Sequence, residues 1–346
     1  MARIGSVVDL EATARQYGAL RRARKLRSAE ELLRLALLHG PGGLSLRSTA
    51  LAACEAGLAD QLSDKAVQGR LQRMGEWLEH ILERLLAGLT PAAAGGLSLV
   101  DGTLVTAAGA KGAPWRVHAR YDPALGRFTD LRLTPACTAE AVAQTRLEPG
   151  RIMVFDRGYG RVRNVAEVLA AGSEVVTRIG WRAIALYDAS GDRIDLLSLL
   201  PVGQEACEHE VHLAGIARPM RLVLQRLPPA QAATQRKRTT RRAGKRCQAL
   251  DPRTLAAAEH LILLTSLPHA DATPDRVIAL YRGRWQVELG FKRLKSLGGL
   301  DRLAASDPRS ARTWLLAHLI AAVLTEDLAS RIAGFSPSKT PATAAA

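Results

Sequence analysis

The feature that most limits the fold is a set of short apolar runs, each ended abruptly by polar residues. Leu97-Ser98-Leu99-Val100 stops at Asp101-Gly102-Thr103, and Ile152-Met153-Val154-Phe155 stops at Asp156-Arg157-Gly158-Tyr159. His260-Leu261-Ile262-Leu263-Leu264-Thr265 is a third such run, and Glu174–Thr177 reads as a further short strand. These runs are too short for ordinary helices and too uniformly apolar for strands with one wet face, so they predict buried strands. Residues 115–121 and 128–133 predict two more strands, joined by the turn-prone Asp122-Pro123 and Gly126. A short helix is expected near residues 139–145, and another through Val165, Val168 and Leu169. An antiparallel meander that gives way to strand–helix alternation predicts an α/β fold, a mixed sheet flanked by helices.

Residues 1–92 follow a helical period instead. Ser28 with Glu31 is a capping box that opens an apolar run closed by Gly40-Pro41-Gly42-Gly43. Ser45 can cap a second short helix ending near Gly57. Ser63 can cap a third, long one through Leu71, Trp77, Leu78, Ile81, Leu82, Leu85 and Leu86. This pattern suits either a DNA-binding helix-turn-helix or an all-helical packing module. Just before it, residues 21–27 hold five cations in seven positions. The expected organisation is an N-terminal helical, DNA-binding domain over 1–92 and a first part of the core over 93–180, with 91–96 as linker. A β-rich insertion over 181–261, a second part of the core over 262–332 and a flexible tail over 333–346 complete it. Within the insertion, residues 207–213 and 219–224 read as strands. Arg236, Lys237, Arg238, Arg241, Arg242, Lys245 and Arg246 put seven cations and no acid in eleven residues. That run reads as a loop clamping a phosphate backbone without sequence preference.

Charge narrows the class of partner. Lys and Arg number 48 against 33 Asp and Glu, a net charge of +15, which calls for a polyanion: nucleic acid first, an anionic membrane surface second. No stretch reaches the roughly 18 apolar residues of a spanning helix, and the N-terminus lacks the unbroken core of a signal peptide. Cys54, Cys137, Cys207 and Cys247 are far apart and form no CxxC pair. These features point to a reduced, cytoplasmic, nucleoid-associated protein. With 47% hydrophobic residues the chain can build a real core, which excludes wholesale disorder.

The candidate chemistry sits at Asp101 and Asp156, each expected at the C-terminal end of a neighbouring strand, where ligands of open α/β sheets gather. Two carboxylates held together repel unless a cation lies between them, and oxygen-only ligands suit Mg²⁺ or Mn²⁺. Either aspartate alone could simply cap a turn. A third acid lies in a helix expected over residues 273–298, opened by Thr273-Pro274-Asp275 and closed by Gly298-Gly299. At 100° per residue, Tyr281, Arg284, Glu288 and Lys295 share an arc of about 60°. Leu280, Val287, Phe291 and Leu294 form the adjacent apolar arc that can dock on the sheet. An ordinary amphipathic helix with an Arg284–Glu288 pair would show the same local pattern.

Tyr281-x2-Arg284-x3-Glu288-x6-Lys295 resembles the tyrosine–arginine–glutamate–lysine signature of IS4-type bacterial transposases, relatives of the Tn5 and Tn10 enzymes. Asp101-Gly102-Thr103 and Asp156-Arg157-Gly158-Tyr159 resemble that family's two aspartate motifs, and Leu263-Leu264-Thr265-Ser266 the strand before its glutamate helix. The likeness runs from about residue 20 to 330. It implies a ribonuclease-H-like core in which Asp101, Asp156 and Glu288 are catalytic and bind two divalent ions, Mg²⁺ or Mn²⁺. It implies cutting at the terminal inverted repeats of an element and joining of 3′ ends to target DNA, by a homodimer that brings two ends together. Tyr281, Arg284, Lys292 and Lys295 would then grip phosphates near the scissile bond.

In one respect the chain departs from better-known relatives, which stack a flipped base on an aromatic residue late in the insertion. No Phe, Trp or Tyr occurs from Asp188 to Leu280, so Trp181 or His260 would have to serve. Trp285, beside the polar arc, is expected to pack. His209 and His212 around Glu210 lack the HExxH spacing and read as surface residues. A plain nuclease of the same fold and a non-catalytic DNA-binding inhibitor are the alternative functions.

Overall fold

The computed structural model describes residues 1–22, 25–89, 96–106, 114–245, 247, 249–303 and 307–335. Arg24, Arg246, linker residues 91–95 and residues 336–346 of the expected tail lie outside them. The chain opens with helices α1 (Ala2–Gly5), α2 (Leu10–Gln16), α3 (Ala29–His39), α4 (Leu46–Glu55), α5 (Asp64–Leu71) and α6 (Gly75–Ala87). At the start of α3, Ser28 Oγ accepts from the Glu31 amide (3.2 Å) and the Glu31 carboxylate accepts from the Ser28 amide (3.2 Å). Two helix starts are thereby set by side chains that serve otherwise orphaned amides, since Ser45 does the same for Ser48.

Two expectations for this region are corrected. The long helix from Ser63 is two helices, because the chain turns at residues 72–74 to send Met74 into the core. Gly75, the weakest helix former in the stretch, then opens α6. The link from α4 to α5 spans residues 56–63, longer than the three or four residues of a tight helix-turn-helix.

Strands β1 (Leu97–Val105), β2 (Trp115–Asp122) and β3 (Arg127–Pro135) form the antiparallel meander. The helix expected near 139–145 is only a 3₁₀ turn at Val142–Gln144. Then come β4 (Ile152–Phe155), α7 (Val162–Ala170), β5 (Glu174–Arg178), the short β6 (Leu186–Tyr187) and β7 (Arg193–Ile194), β8 (Ala206–Leu213) and β9 (Ile216–Arg226). Helices α8 (Pro229–Lys245) and α9 (Pro252–Ala258) precede β10 (His260–Thr265). The chain finishes with α10 (Pro274–Arg282), α11 (Trp285–Ser296) and α12 (Pro308–Phe335), the last running past the expected start of the tail at 333.

All described strands share one sheet in the order β3-β2-β1-β4-β5-β10-β9-β8-β6-β7, parallel at β1–β4–β5 and antiparallel elsewhere. The strands of residues 181–261 therefore extend the main sheet rather than forming a separate one. Successive residues of the apolar runs point to opposite faces and both faces are covered, which explains their unbroken apolarity. Leu99, Val154 and Leu263 join a core with the N-terminal helices and α10–α12; Val100, Met153, Phe155, Ile262 and Leu264 join another with α7 and Leu196. Among the described residues no helix is long and apolar enough to cross a membrane.

The basic run expected as a loop is helical. Residues 229–245 are mostly Ala, Gln, Arg, Lys and Thr, with proline at the first turn and a glycine only near the end, and charge hid that propensity. α8 buries none of its residues.

One buried carboxylate ties α12 to the meander. Glu326 accepts from the Phe128 amide at 3.2 Å, with Arg127 and Arg293 near it. Burial pushes its carboxyl up from 4.5 to about 7, against the pull of that amide and the two arginines. The fold thus binds this proton more tightly than the unfolded chain, so stability is full below about pH 4.5 and declines as pH rises through about 7. Glu326→Gln removes this titration, so the variant should gain about 2 kcal/mol of stability on the wild type between pH 5 and pH 8, after allowance for partial exposure. Thermal melts at the two pH values measure this; parallel wild-type and variant curves would refute it.

Candidate functional site: an acid triad bridged by one arginine

The site begins with a register. β1 and β4 run parallel and last pair at Val100–Phe155, so the next residues, Asp101 and Asp156, stand side by side. Asp101 is not at the end of its strand as expected. β1 continues to Val105 on β2 alone, because its other neighbour, β4, has stopped. One edge of β1 is thereby freed just where the aspartates meet.

The helix expected over 273–298 is also two. Thr273 caps α10 through the Arg276 amide, and Pro274 occupies the first turn. At Gly283-Arg284 the backbone tightens, with Arg284 N bonding Tyr281 O (3.0 Å) and Val287 N bonding Arg284 O (3.1 Å). α11 then begins at Trp285. Leu280, Val287, Phe291 and Leu294 are buried, which docks both helices on the sheet. Gly290 makes the approach possible: a Cβ there would lie 2.7 Å from Phe128 Cζ.

Docked in this way, the helices aim their polar residues at the aspartates. The Tyr281 hydroxyl donates to Asp156 Oδ1 at 2.8 Å. Arg284 donates from Nη1 to Asp101 Oδ2 at 3.1 Å and from Nη2 to Glu288 Oε1 at 2.6 Å. Lys295 Nζ donates to the Leu104 carbonyl at 2.9 Å, on the free part of β1. Lys292 is exposed. On α8, Arg236 pairs with Glu259 at 3.0 Å, while Lys237, Arg238, Arg241 and Arg242 are exposed and make no ion pair among the described residues.

The two aspartates are electrostatically unlike. Burial pushes Asp101 up to about 6, aided by the charges of Asp156 and Glu288 and opposed by Arg284 and the Gly102 amide. At Asp156 burial acts in the same direction but is outweighed by the Arg157 amide, the Tyr281 hydroxyl, Arg284 and Arg178, so its carboxyl falls below the usual range. Burial and the Asp156 charge push Tyr281 up to about 12, which keeps it a donor.

Several contributors had no reading from sequence. Arg178 ends β5 beside Asp156, a position visible only once Phe155 is seen to pair with Thr177. Arg157 lies against Gly180, where a Cβ would meet its guanidinium at 2.8 Å. Burial, then the charges of Arg178 and of Arg242 on α8, holds Arg157 below its ordinary pKa. Behind Asp101, the Tyr159 hydroxyl lies 3.4 Å from His118 Nδ1, and His118 Nε2 lies 3.0 Å from Thr134 Oγ1. Burial, with Arg116 and Arg132, lowers His118 to about 4 and keeps it neutral. The aromatic expectations change as well. Trp285 is 54% exposed rather than packed. His260 is buried with Nδ1 2.9 Å from the Ala256 carbonyl oxygen, so it offers no open stacking face, and the Trp181 ring already carries the guanidinium groups of Arg182 at 4.1 Å and Arg253 at 4.9 Å.

Among the described residues, no three His, Cys, Asp or Glu side chains are drawn together as a ready metal cage. At the triad the reason is visible: one guanidinium occupies the space between Asp101 and Glu288. The donor set nonetheless fits a hard divalent cation, because it is all oxygen and its charges already require a cation to meet.

Two aspartates from adjacent parallel strands and a glutamate from a docked helix make this a mixed-sheet protein with an acid-triad site. A family profile described as "Transposase DDE domain" matches residues 94–324. The chain is 37% identical to the putative transposase InsL for insertion sequence element IS186A of Escherichia coli (strain K12), over 97% of this chain and 95% of that one. It is 36% identical, with the same coverage, to the transposase for insertion sequence element IS421 of Escherichia coli. A cryo-EM structure of piggyBac transposase synaptic complex with hairpin DNA superposes with a TM-score of 0.49 at 10% identity, covering 98% of this chain and 75% of that chain. The chain belongs to the DDE transposases, of the IS4 type.

The close approach at Gly290 has a measurable consequence. The Phe128 ring is held edge-on to Tyr121 (5.3 Å between centroids) and beside Phe291 (5.7 Å), so it cannot swing clear. Gly290→Ala should therefore cost about 1–3 kcal/mol in a denaturant titration; an unchanged midpoint would show that α11 does not dock this tightly.

Proposed function

We propose that this protein is the transposase of an insertion sequence element, cutting DNA at the element's terminal inverted repeats and joining the freed 3′ ends to target DNA. The observation that carries the reading is the register that sets Asp101 beside Asp156, with the α10–α11 turn hydrogen-bonded to both. Asp101, Asp156 and Glu288 are the catalytic acids and hold two divalent ions, Mg²⁺ or Mn²⁺. When bound, those ions activate the attacking hydroxyl and stabilise the leaving oxygen of an in-line displacement.

This chain's own residues do the rest. Tyr281 fixes the Asp156 carboxylate through its hydroxyl. Arg284, Lys292 and Lys295 hold phosphates on the α11 side of the acids. Arg236, Lys237, Arg238, Arg241 and Arg242 hold the backbone further out along α8, sequence-neutrally. The β1–β5 order, a three-strand meander followed by two parallel strands, supports a ribonuclease-H-like core over 93–180 and 262–332. In this reading residues 1–92 are the helical DNA-binding part and 181–261 the insertion. The protein works as a homodimer on paired element ends, in the cytoplasm at the nucleoid.

The test is incubation with Mg²⁺ and labelled duplex carrying the inverted repeats that flank the gene. Cleavage with joining is expected; cleavage alone would make it a nuclease, and binding alone an inhibitor. Asp101→Ala, Asp156→Ala and Glu288→Ala should each abolish both steps while the duplex still shifts in a gel. Tyr281→Phe removes one hydrogen bond behind the acids and should slow joining by about 10- to 100-fold. Joining that survives all three acid substitutions would overturn the triad.

A further inference from the structure

Among the described residues, Arg284 is the one cation that touches two of the three acids. Its side chain is only 13% exposed, against 57% for Glu288. One end of the guanidinium serves Asp101 and the other Glu288. Its Nε is buried and has no hydrogen-bond partner. A buried donor without an acceptor is costly. The guanidinium is thus held by the acids in a pose that leaves its Nε–H donor unserved. A phosphodiester, with two unesterified oxygens that match the guanidinium fork, would serve this group better than two carboxylates on different elements. The carboxylates have the reciprocal need. Without the guanidinium, Asp101 and Glu288 lose their nearest shared counter-charge, and a hard divalent ion supplies one.

We propose that Arg284 is a latch that couples metal loading to the arrival of DNA. In the free protein its guanidinium is the cation of the Asp101–Glu288 pair and competes with a divalent ion for those oxygens. When a DNA phosphate takes the guanidinium, the carboxylates are released to metal. This rests on the acid triad as the metal site and adds a rule for when the site fills. Because the two ligands act on one arginine, each raises the affinity for the other by the same factor. The Glu288 half of the latch is the shorter contact and the more exposed to water, while the Asp101 half is longer and more shielded.

The experiment is Mn²⁺ binding to the full-length chain, followed by calorimetry and by the electron paramagnetic resonance signal of free Mn²⁺. Wild type, Arg284→Gln and Arg284→Lys are compared with and without a duplex that lacks the inverted repeats. Without DNA, Arg284→Gln should bind Mn²⁺ about tenfold more tightly than wild type, within the usual range of coupling between sites. Lysine keeps the charge but cannot bridge both carboxylates, so Arg284→Lys should shift the same way by less. Duplex should tighten Mn²⁺ binding in wild type and do so less in Arg284→Gln. Equal or weaker Mn²⁺ binding by folded Arg284→Gln and Arg284→Lys overturns the latch while leaving the triad standing. Mn²⁺ binding that is unchanged by Asp101→Ala removes the triad as the metal site, and the latch with it.

Discussion

Asp101 and Asp156 face each other because two parallel strands stop pairing at Val100 and Phe155, and that repulsion has to be met from elsewhere in the chain. Adjacent strands lie about 4.8 Å apart. Two charges at about 5 Å repel by about 3 kcal/mol at an effective dielectric of about 20. The α10–α11 turn supplies the answer, a hydroxyl to one aspartate and a guanidinium to the other. The result is a division of labour. Asp156, with an amide, a hydroxyl and two arginines around it, stays ionised; Asp101, more dependent on one arginine, carries its charge at a cost. Neighbouring acids pushed apart in this way are a pattern that recurs at functional sites.

The register that creates the problem is itself strongly held. A slip of β1 by one residue against β4 would exchange the two faces of β1, sending Val100 into the core now filled by Leu99. Arg151 pins the other end of the same ladder. Its guanidinium donates to Asp122 Oδ2 (2.6 Å), to the Leu97 carbonyl (2.8 Å) and, through Nε, to Ser98 Oγ (3.1 Å). It thus ties the start of β4 to the start of β1 and the end of β2. Such a buried, fully engaged arginine contributes more to uniqueness of register than to net stability.

What could be read from the sequence divides along physical lines. The apolar runs at 97–100, 152–155 and 260–265 are local signals with one good solution, and the caps at Ser28, Ser45 and Thr273 are equally local. The Tyr281–Arg284–Glu288–Lys295 spacing was legible although the helix breaks in its middle. One tightened turn at Gly283 shifts the phase of the helix but leaves its buried side, Leu280 with Val287 and Phe291, facing the sheet. The extension of β1 past Asp101 was not legible, because whether a strand continues depends on a partner, β2, and not on its own residues. Arg178 and His118 were hidden for the same reason, and Tyr159 was visible only as a member of the second aspartate motif, without a contact assigned to it. Each matters through strand pairing or through a contact across the sheet. α8 was missed because a dense charge run reads as solvated loop, while Ala, Gln, Arg and Lys are also good helix formers.

α8 poses the opposite problem to the triad. It buries none of its residues, and Lys237 with Arg241, and Arg238 with Arg242, set like charges four apart on one helix, each pair mildly unfavourable. Only Arg236, through Glu259, is relieved by an ion pair among the described residues. The helix is nevertheless fixed in place, because β9 before it and β10 after it are neighbours in the main sheet. Its cations are therefore carried by a rigid scaffold, with Arg242 close enough to act on Arg157 beside Asp156. A helix with unrelieved repulsion and no buried face gains most from a partner that neutralises it. For the phosphate-clamp reading of α8, neutralisation by DNA and stabilisation of the helix are one event. The surplus of positive charge would then be an internal strain, held next to the acids, that the substrate relieves.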